Sequence, residues 1–123
     1  PLVFFALPVT LHAQSRAAMQ RTNVRTGVQS WLSDHPQVRL GLKTRINQTA
    51  AYTREALIFG CSVGLLEIQG TRVGIGRQNL SKARALPLDD ERKHIFADSR
   101  KLGRWFGRVD DTRTLLISFG VTL

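Results

Sequence analysis

Apolar positions open the chain: Pro1 to Ala13 carries no charge, and the run is too short to span a bilayer, so it predicts a core helix or strand. Val24 to His35 predicts a short helix with Val28, Trp31 and Leu32 on one side, stopped or redirected by Pro36. From Gln37 to Asn47, Val38, Leu42 and Ile46 recur at helical spacing beside Arg39, Lys43 and Arg45, which predicts a second short helix with a basic flank. Thr49 is placed to cap a third helix over residues 50–63, whose stripe is Tyr52, Ala56, Phe59, Gly60 and Val63. Gly64 suits the left-handed residue that ends it.

The period then changes. Leu65 to Gln69 and Arg72 to Ile75 alternate apolar with polar or small residues around Gly70-Thr71, the pattern of a two-stranded hairpin that must pack on the preceding helices. Gly76 to Leu86 is polar and basic without a period, and predicts a loop or flexible arm. After Pro87, the seven-residue steps Leu88, Ile95, Leu102 and Val109, widened by Phe96, Trp105 and Phe106, predict a long amphipathic helix. Its start is acidic (Asp89, Asp90, Glu91) and its end basic (Arg100, Lys101, Arg104, Arg108), as the helix dipole favours. Ser99, Gly103 and Gly107 leave one face of it nearly bare. Asp110 or Asp111 would cap a last short helix through Phe119, apolar all round and closed by Gly120.

Composition narrows the class of partner. In 123 residues, 42% of them hydrophobic, there is room for one domain with a real core. The formal charge is +9, and all but four of the eighteen cations are Arg, the side chain best suited to bidentate phosphate contacts. Residues 1–86 hold eleven cations and three anions (Asp34, Glu55, Glu67), net +8; residues 87–123 hold seven and six, net +1. An acidic partner of the first two thirds is the expectation. A single cysteine excludes an internal disulfide scaffold and agrees with a reducing, cytoplasmic setting.

No catalytic constellation is legible. His12, His35, His94 and Cys61 sit at no metal-ligand spacing, and Cys61 inside a helix beside Gly60 reads as a small buried thiol. Gly70, Gly74 and Gly76 belong to a hairpin and precede no Lys-Ser/Thr pair, so they form no phosphate-binding loop. Glu91-Arg92-Lys93 starts a helix rather than a nuclease-like strand. No enzyme activity, metal or cofactor is expected.

The remaining signal is an order: short helix, basic helix, amphipathic helix, then a glycine-turned hairpin. It predicts a mainly α single domain of winged helix-turn-helix type with a C-terminal amphipathic helix. In a DNA-binding form, Thr53 and Arg54 would face the major groove while Arg72 and Arg77 on the wing touched phosphates. Arg39, Lys43, Arg45, Lys82 and Arg84 would extend that basic surface. Winged helices also serve as protein-docking modules, and Glu55 on the third helix would repel phosphate.

Three stretches carry a resemblance: Pro1 to His12, Tyr52-Thr53-Arg54-Glu55-Ala56-Leu57-Ile58-Phe59-Gly60, and Arg100-Lys101-Leu102-Gly103-Arg104-Trp105-Phe106 with Gly120-Val121. Together they resemble the middle components of bacterial three-component ABC systems, most closely the type-three class, over most of the chain. The resemblance implies a small non-catalytic subunit that couples an SMC/Rad50-like ABC ATPase to an effector such as a nuclease, in anti-phage or anti-plasmid defence. Lamassu-type complexes have a similar three-part layout. Members of the family carry a further N-terminal helical piece, so the domain is expected to be incomplete before Pro1.

With that role, residues 1–86 form a basic helical core plus wing and residues 87–123 a partner-docking part. Leu102, Gly103, Trp105, Phe106, Gly107, Leu116 and Phe119 are its expected interface, with DNA near the basic region and no membrane contact. The alternative is a free-standing winged-helix transcriptional regulator that dimerises through residues 88–123 and reads a half-site with the third helix.

Overall fold

Side-chain caps and left-handed glycines set the boundaries of the later helices in the computed structural model, which describes residues 2–78 and 89–121. A 3₁₀ turn at Leu2–Phe5 leads into α1 (Ala6–Thr10), α2 (Ala13–Gln20) and α3 (Val28–Asp34). A second 3₁₀ turn at Pro36–Arg39 precedes α4 (Leu42–Ser62), the hairpin β1 (Leu66–Gln69) and β2 (Arg72–Ile75), α5 (Asp90–Gly107) and α6 (Thr112–Ser118). The fold is mainly helical with one small antiparallel hairpin, as expected. Asp89 caps α5 by accepting from the Arg92 N–H at 2.8 Å, and Asp111 caps α6 by accepting from the Arg113 and Thr114 N–H groups. Those bonds hold the Asp111 carboxyl below its usual range, led by the Arg113 N–H.

α4 ends in a left-handed glycine, Gly64 at φ 77°, with the Leu65 N–H bonded to the Gly60 carbonyl and the Gly64 N–H to that of Cys61. The same arrangement closes α6 through Gly120. The hairpin register pairs Leu66 with Ile75 and Gln69 with Arg72 around Gly70-Thr71, as the alternation predicts.

Four expectations need correction. The helix expected from Val24 starts only at Val28, and α2 was not read from the sequence at all. The two helices expected at 37–47 and 50–63 are largely one, because no glycine or proline interrupts residues 42–59. Thr49 lies inside it and donates its hydroxyl to the Arg45 carbonyl at 2.9 Å instead of capping anything. The turn that the expected helix-turn-helix placed between those helices is therefore absent, and the hairpin packs on the C-terminal turns of α4.

The core is aromatic and aliphatic. Trp31 and Trp105 are fully buried with ring centroids 5.5 Å apart, and Phe5 lies 4.8 Å from Phe119, with Phe106 edge-on to both. Polar groups of α5 and of Arg108 at its C-terminal cap then satisfy carbonyls at the end of α2 and in the segment after it: Lys101 Nζ donates to Met19 and Thr22, Trp105 Nε1 and Arg108 Nη1 to Val24. Arg45 is a second staple. Its guanidinium donates to the carbonyls of Pro8 at 2.7 Å, Val38 at 2.6 Å and Leu40 at 3.1 Å, joining α1 and the second 3₁₀ turn to α4. Burial lowers its pKa, and burial followed by the Arg45 charge lowers that of His12, whose Nδ1 meets Ser15 Oγ at 2.9 Å.

Close approach of α4 and the hairpin depends on two missing side chains. A Cβ at Gly60 would come within 2.6 Å of Leu66 Cδ1, and one at Gly76 would collide with the Gly64 carbonyl, which is backbone and cannot swing aside. The Gly76 and Gln78 N–H groups donate to the Leu65 and Gly64 carbonyls, extending the hairpin's hold on the helix end.

Gly76→Ala should destabilise the fold by about 1–3 kcal/mol in denaturant melts, whereas Gly103→Ala, where a Cβ meets nothing, should be neutral or stabilising. A second expectation concerns Asp98, whose buried carboxyl has an unpartnered Oδ2 and whose pKa is raised by desolvation against the opposing charges of Lys101, His94 and Arg16. The folded state keeps this proton where the unfolded chain has released it, so stability falls as pH rises from the ordinary carboxylate range through the raised value. Thermal melts across mildly acidic to neutral pH should show Asp98→Asn flattening that decline and melting higher at neutral pH.

Candidate partner-docking surface

α4 buries Leu42, Thr53 and Gly60 on one face, and a different flank carries apolar residues that nothing among the described residues covers. Tyr52, Ala56, Phe59 and Val63 follow one another at four, three and four residues and so share a side of the helix. With Gly60, these residues are the apolar stripe that the sequence predicts on the third helix. Only its member Gly60 is buried; Tyr52 is 67% exposed, Phe59 64% and Val63 42%. The periodicity was correctly apolar, but the other helices pack on the neighbouring face, leaving this one bare.

The hairpin extends the surface. Leu66 lies opposite Ile75 and Ile68 opposite Val73, so these four share one face, while Glu67, Gln69 and Arg72 share the other. Ile75 is 81% exposed and Ile68 54%. Helix flank and hairpin face meet in a groove of about 450 Å³ lined chiefly by Ala56, Phe59, Gly60, Leu66 and Ile75. Covering Phe59 and Ile75 would each contribute roughly 1.5–3 kcal/mol of hydrophobic stabilisation. Apolar area this concentrated marks an interaction site more often than scattered surface residues do.

The residues expected at interfaces fall elsewhere. Leu102, Trp105 and Phe119 are buried in the chain's own core, and Phe106 and Leu116 pack half-buried against it. The seven-residue step at Leu102 and the aromatic positions Trp105 and Phe106 beside it serve internal packing. Gly103 and Gly107 are exposed, and an added Cβ at either would meet nothing within 4 Å.

The expected nucleic-acid contacts do not assemble into one site. Arg45 is committed to three carbonyls and Thr53 is only 3% exposed, which removes both from any groove-facing row. Arg54 stands over the Phe4 ring at 5.9 Å. Arg39 and Lys43 are exposed near the start of α4, whereas Arg72 and Arg77 are exposed on and after β2, beyond its far end. Lys82 and Arg84, with the arm expected around them, lie outside the described residues.

Among the described residues there is no group of three or more His, Cys, Asp or Glu able to hold a metal ion, and no helix is long and apolar enough to cross a membrane. Cys61 is half-buried. Glu91 pairs with Arg16 at 3.3 Å, so it does not form a free acidic site with Lys93. A second open cleft of about 450 Å³ is bounded by Thr26, Ser30, Trp105, Arg108 and Asp111, and the Asp111 carboxylate there is engaged in capping α6, accepting from the Arg113 and Thr114 N–H groups and the Thr114 hydroxyl.

The family model described as ABC-three component (ABC-3C) system Middle Component 3 matches the chain over residues 1–123. No curated protein and no solved structure matches.

Phe59→Ser and Ile75→Ser should each change unfolding free energy by no more than about 0.5 kcal/mol, because both side chains are mostly solvated in the isolated chain. Chemical denaturation measures this, against Trp105→Ala, which should cost about 3–5 kcal/mol.

Proposed function

As the chain belongs to the Middle Component 3 family of ABC-three component systems, we propose that it is a non-catalytic accessory subunit that docks another component of its system through the α4 flank and the hairpin face. The observation that carries this reading is the continuous apolar surface from Tyr52 through Phe59 to Ile75, exposed although its periodicity is that of a packed face. The occupant is an amphipathic helix of the partner, laid along the flank with apolar side chains in the groove beside Phe59. From Tyr52 to Val63 the flank runs about 16 Å at the helical rise, enough for three turns of such a helix.

In this reading the partner is the SMC/Rad50-like ABC ATPase, and the subunit transmits its state to an effector such as a nuclease in defence against phages or plasmids. These assignments follow from the resemblance in layout to Lamassu-type complexes. A second copy of the chain is a poorer occupant, since two chains of charge +9 would be brought together. The regulator alternative gains nothing from the buried Thr53 or the uninterrupted α4.

Co-expression with the other components, affinity capture on this chain and native mass spectrometry test the role. The ATPase should be recovered with the unaltered chain and with Gly103→Leu, and lost with Phe59→Asp/Ile75→Asp. Retention by the double variant, or loss only with Gly103→Leu, contradicts docking at α4 and the hairpin.

A further inference from the structure

Sequence halves place the basic character before residue 87, yet the fold gathers a different set of cations. Lys101 Nζ bonds the Met19 and Thr22 carbonyls and Arg108 Nη1 bonds that of Val24, so the C-terminal half of α5 lies directly on the segment that carries Arg21 and Arg25. Lys93, Arg100, Arg104 and Arg108 follow at seven, four and four residues, one ridge of α5, with Lys101 three residues before Arg104 on the same flank. Arg21, Arg25, Arg100 and Arg104 are exposed, and among the described residues no hydrogen bond or ion pair holds their side chains.

The carboxylates fall at the two ends of the ridge: Asp90 lies one turn before Lys93, and Asp110 and Asp111 line one cleft with Arg108, while Asp98 is 7% exposed and Glu91 is bonded to Arg16, so the central cations Arg100 and Arg104, with Arg21 and Arg25, carry most of the positive charge of this face. The carbonyls that Lys101 and Arg108 engage are neutral, so these bonds leave the positive charge of both side chains in place. None of the large exposed hydrophobic residues lies on α5. A single strand bound by stacking needs aromatic platforms that this face lacks, whereas a duplex backbone needs only cations along a line.

We propose that the α5 ridge of Lys93, Arg100, Arg104 and Arg108, together with Arg21 and Arg25, binds the phosphate backbone of duplex DNA without reading its sequence. Lys93 to Arg108 spans about 22 Å of helix, long enough to follow several successive phosphates. Guanidinium forks suit phosphate oxygens, and contacts of this kind fix position without distinguishing bases. The site shares no residue with the docking surface, so it stands or falls separately from the proposed function.

The test is fluorescence anisotropy of the full chain with two unrelated 24-base-pair duplexes over a salt series, with circular dichroism confirming that each variant folds. The two duplexes should bind alike, with log affinity falling linearly in log salt. Arg100→Ala/Arg104→Ala should weaken binding at least tenfold at low salt and reduce the slope by about two, and Arg21→Ala/Arg25→Ala should do the same. Arg39→Ala/Arg72→Ala serves as the distant comparison and should change little. No binding at low salt, an unchanged slope in the α5 pair, or an equal loss in the distant pair overturns the site. Displacement by polyglutamate at the same charge concentration as effective as that by unlabelled duplex overturns it in favour of an acidic protein partner.

Discussion

The contact on which the architecture rests is the buried pair Trp31 and Trp105, from α3 and α5, seventy-four positions apart in the chain. Two indoles at 5.5 Å remove a large apolar area from water and bring their helices together. Trp105 Nε1 finds the Val24 carbonyl at 3.2 Å, and Lys101 and Arg108 bond the same segment on either side. The C-terminal part of the chain is thereby seated on the N-terminal helices. Without that seat Phe106 and Phe119 would have no Phe5 to close against, and the cations of α5 would not lie beside Arg21 and Arg25.

The seat also explains what stays uncovered. α4 turns Leu42, Thr53 and Gly60 inward, and its remaining apolar flank is met by no other helix among the described residues. At its far end the hairpin is held by backbone proximity: Gly60 admits Leu66, Gly76 admits the Gly64 carbonyl, and strand pairing does the rest. A two-stranded hairpin is marginal by itself, so its attachment to α4 is what keeps its apolar face in line with Phe59. Membership of a multi-component family gives this exposed surface a physical rationale, because a subunit that functions in a complex can leave part of its apolar area to be buried by a partner.

Much of the fold was legible because local chemistry decided it. The Gly70-Thr71 hairpin, the Asp111 cap, the Gly64 and Gly120 helix ends and the amphipathic α5 each depend on residues within a few positions. The joined α4 is legible in principle from the absence of a breaker over residues 42–59; the hydroxyl of Thr49, a cap by residue type, bonds back to the Arg45 carbonyl within the helix. What periodicity could not decide is which apolar stripe becomes core. Tyr52, Phe59 and Val63 on α4 and Leu102 and Trp105 on α5 read alike, and only tertiary packing left the first set bare while burying the second. Arg45 shows the same limit for charge. It looks like one more surface cation until the fold turns three backbone carbonyls toward it.

Hydroxyl-radical footprinting of the chain alone and within the assembled three-component complex tests the central claim most directly, since Tyr52, Phe59 and Ile75 are all accessible in the isolated subunit. Docking through α4 and the hairpin predicts strong protection of these three side chains on assembly. Unchanged labelling of Tyr52, Phe59 and Ile75, with protection confined to Ile117 or other side chains away from the groove, would contradict it.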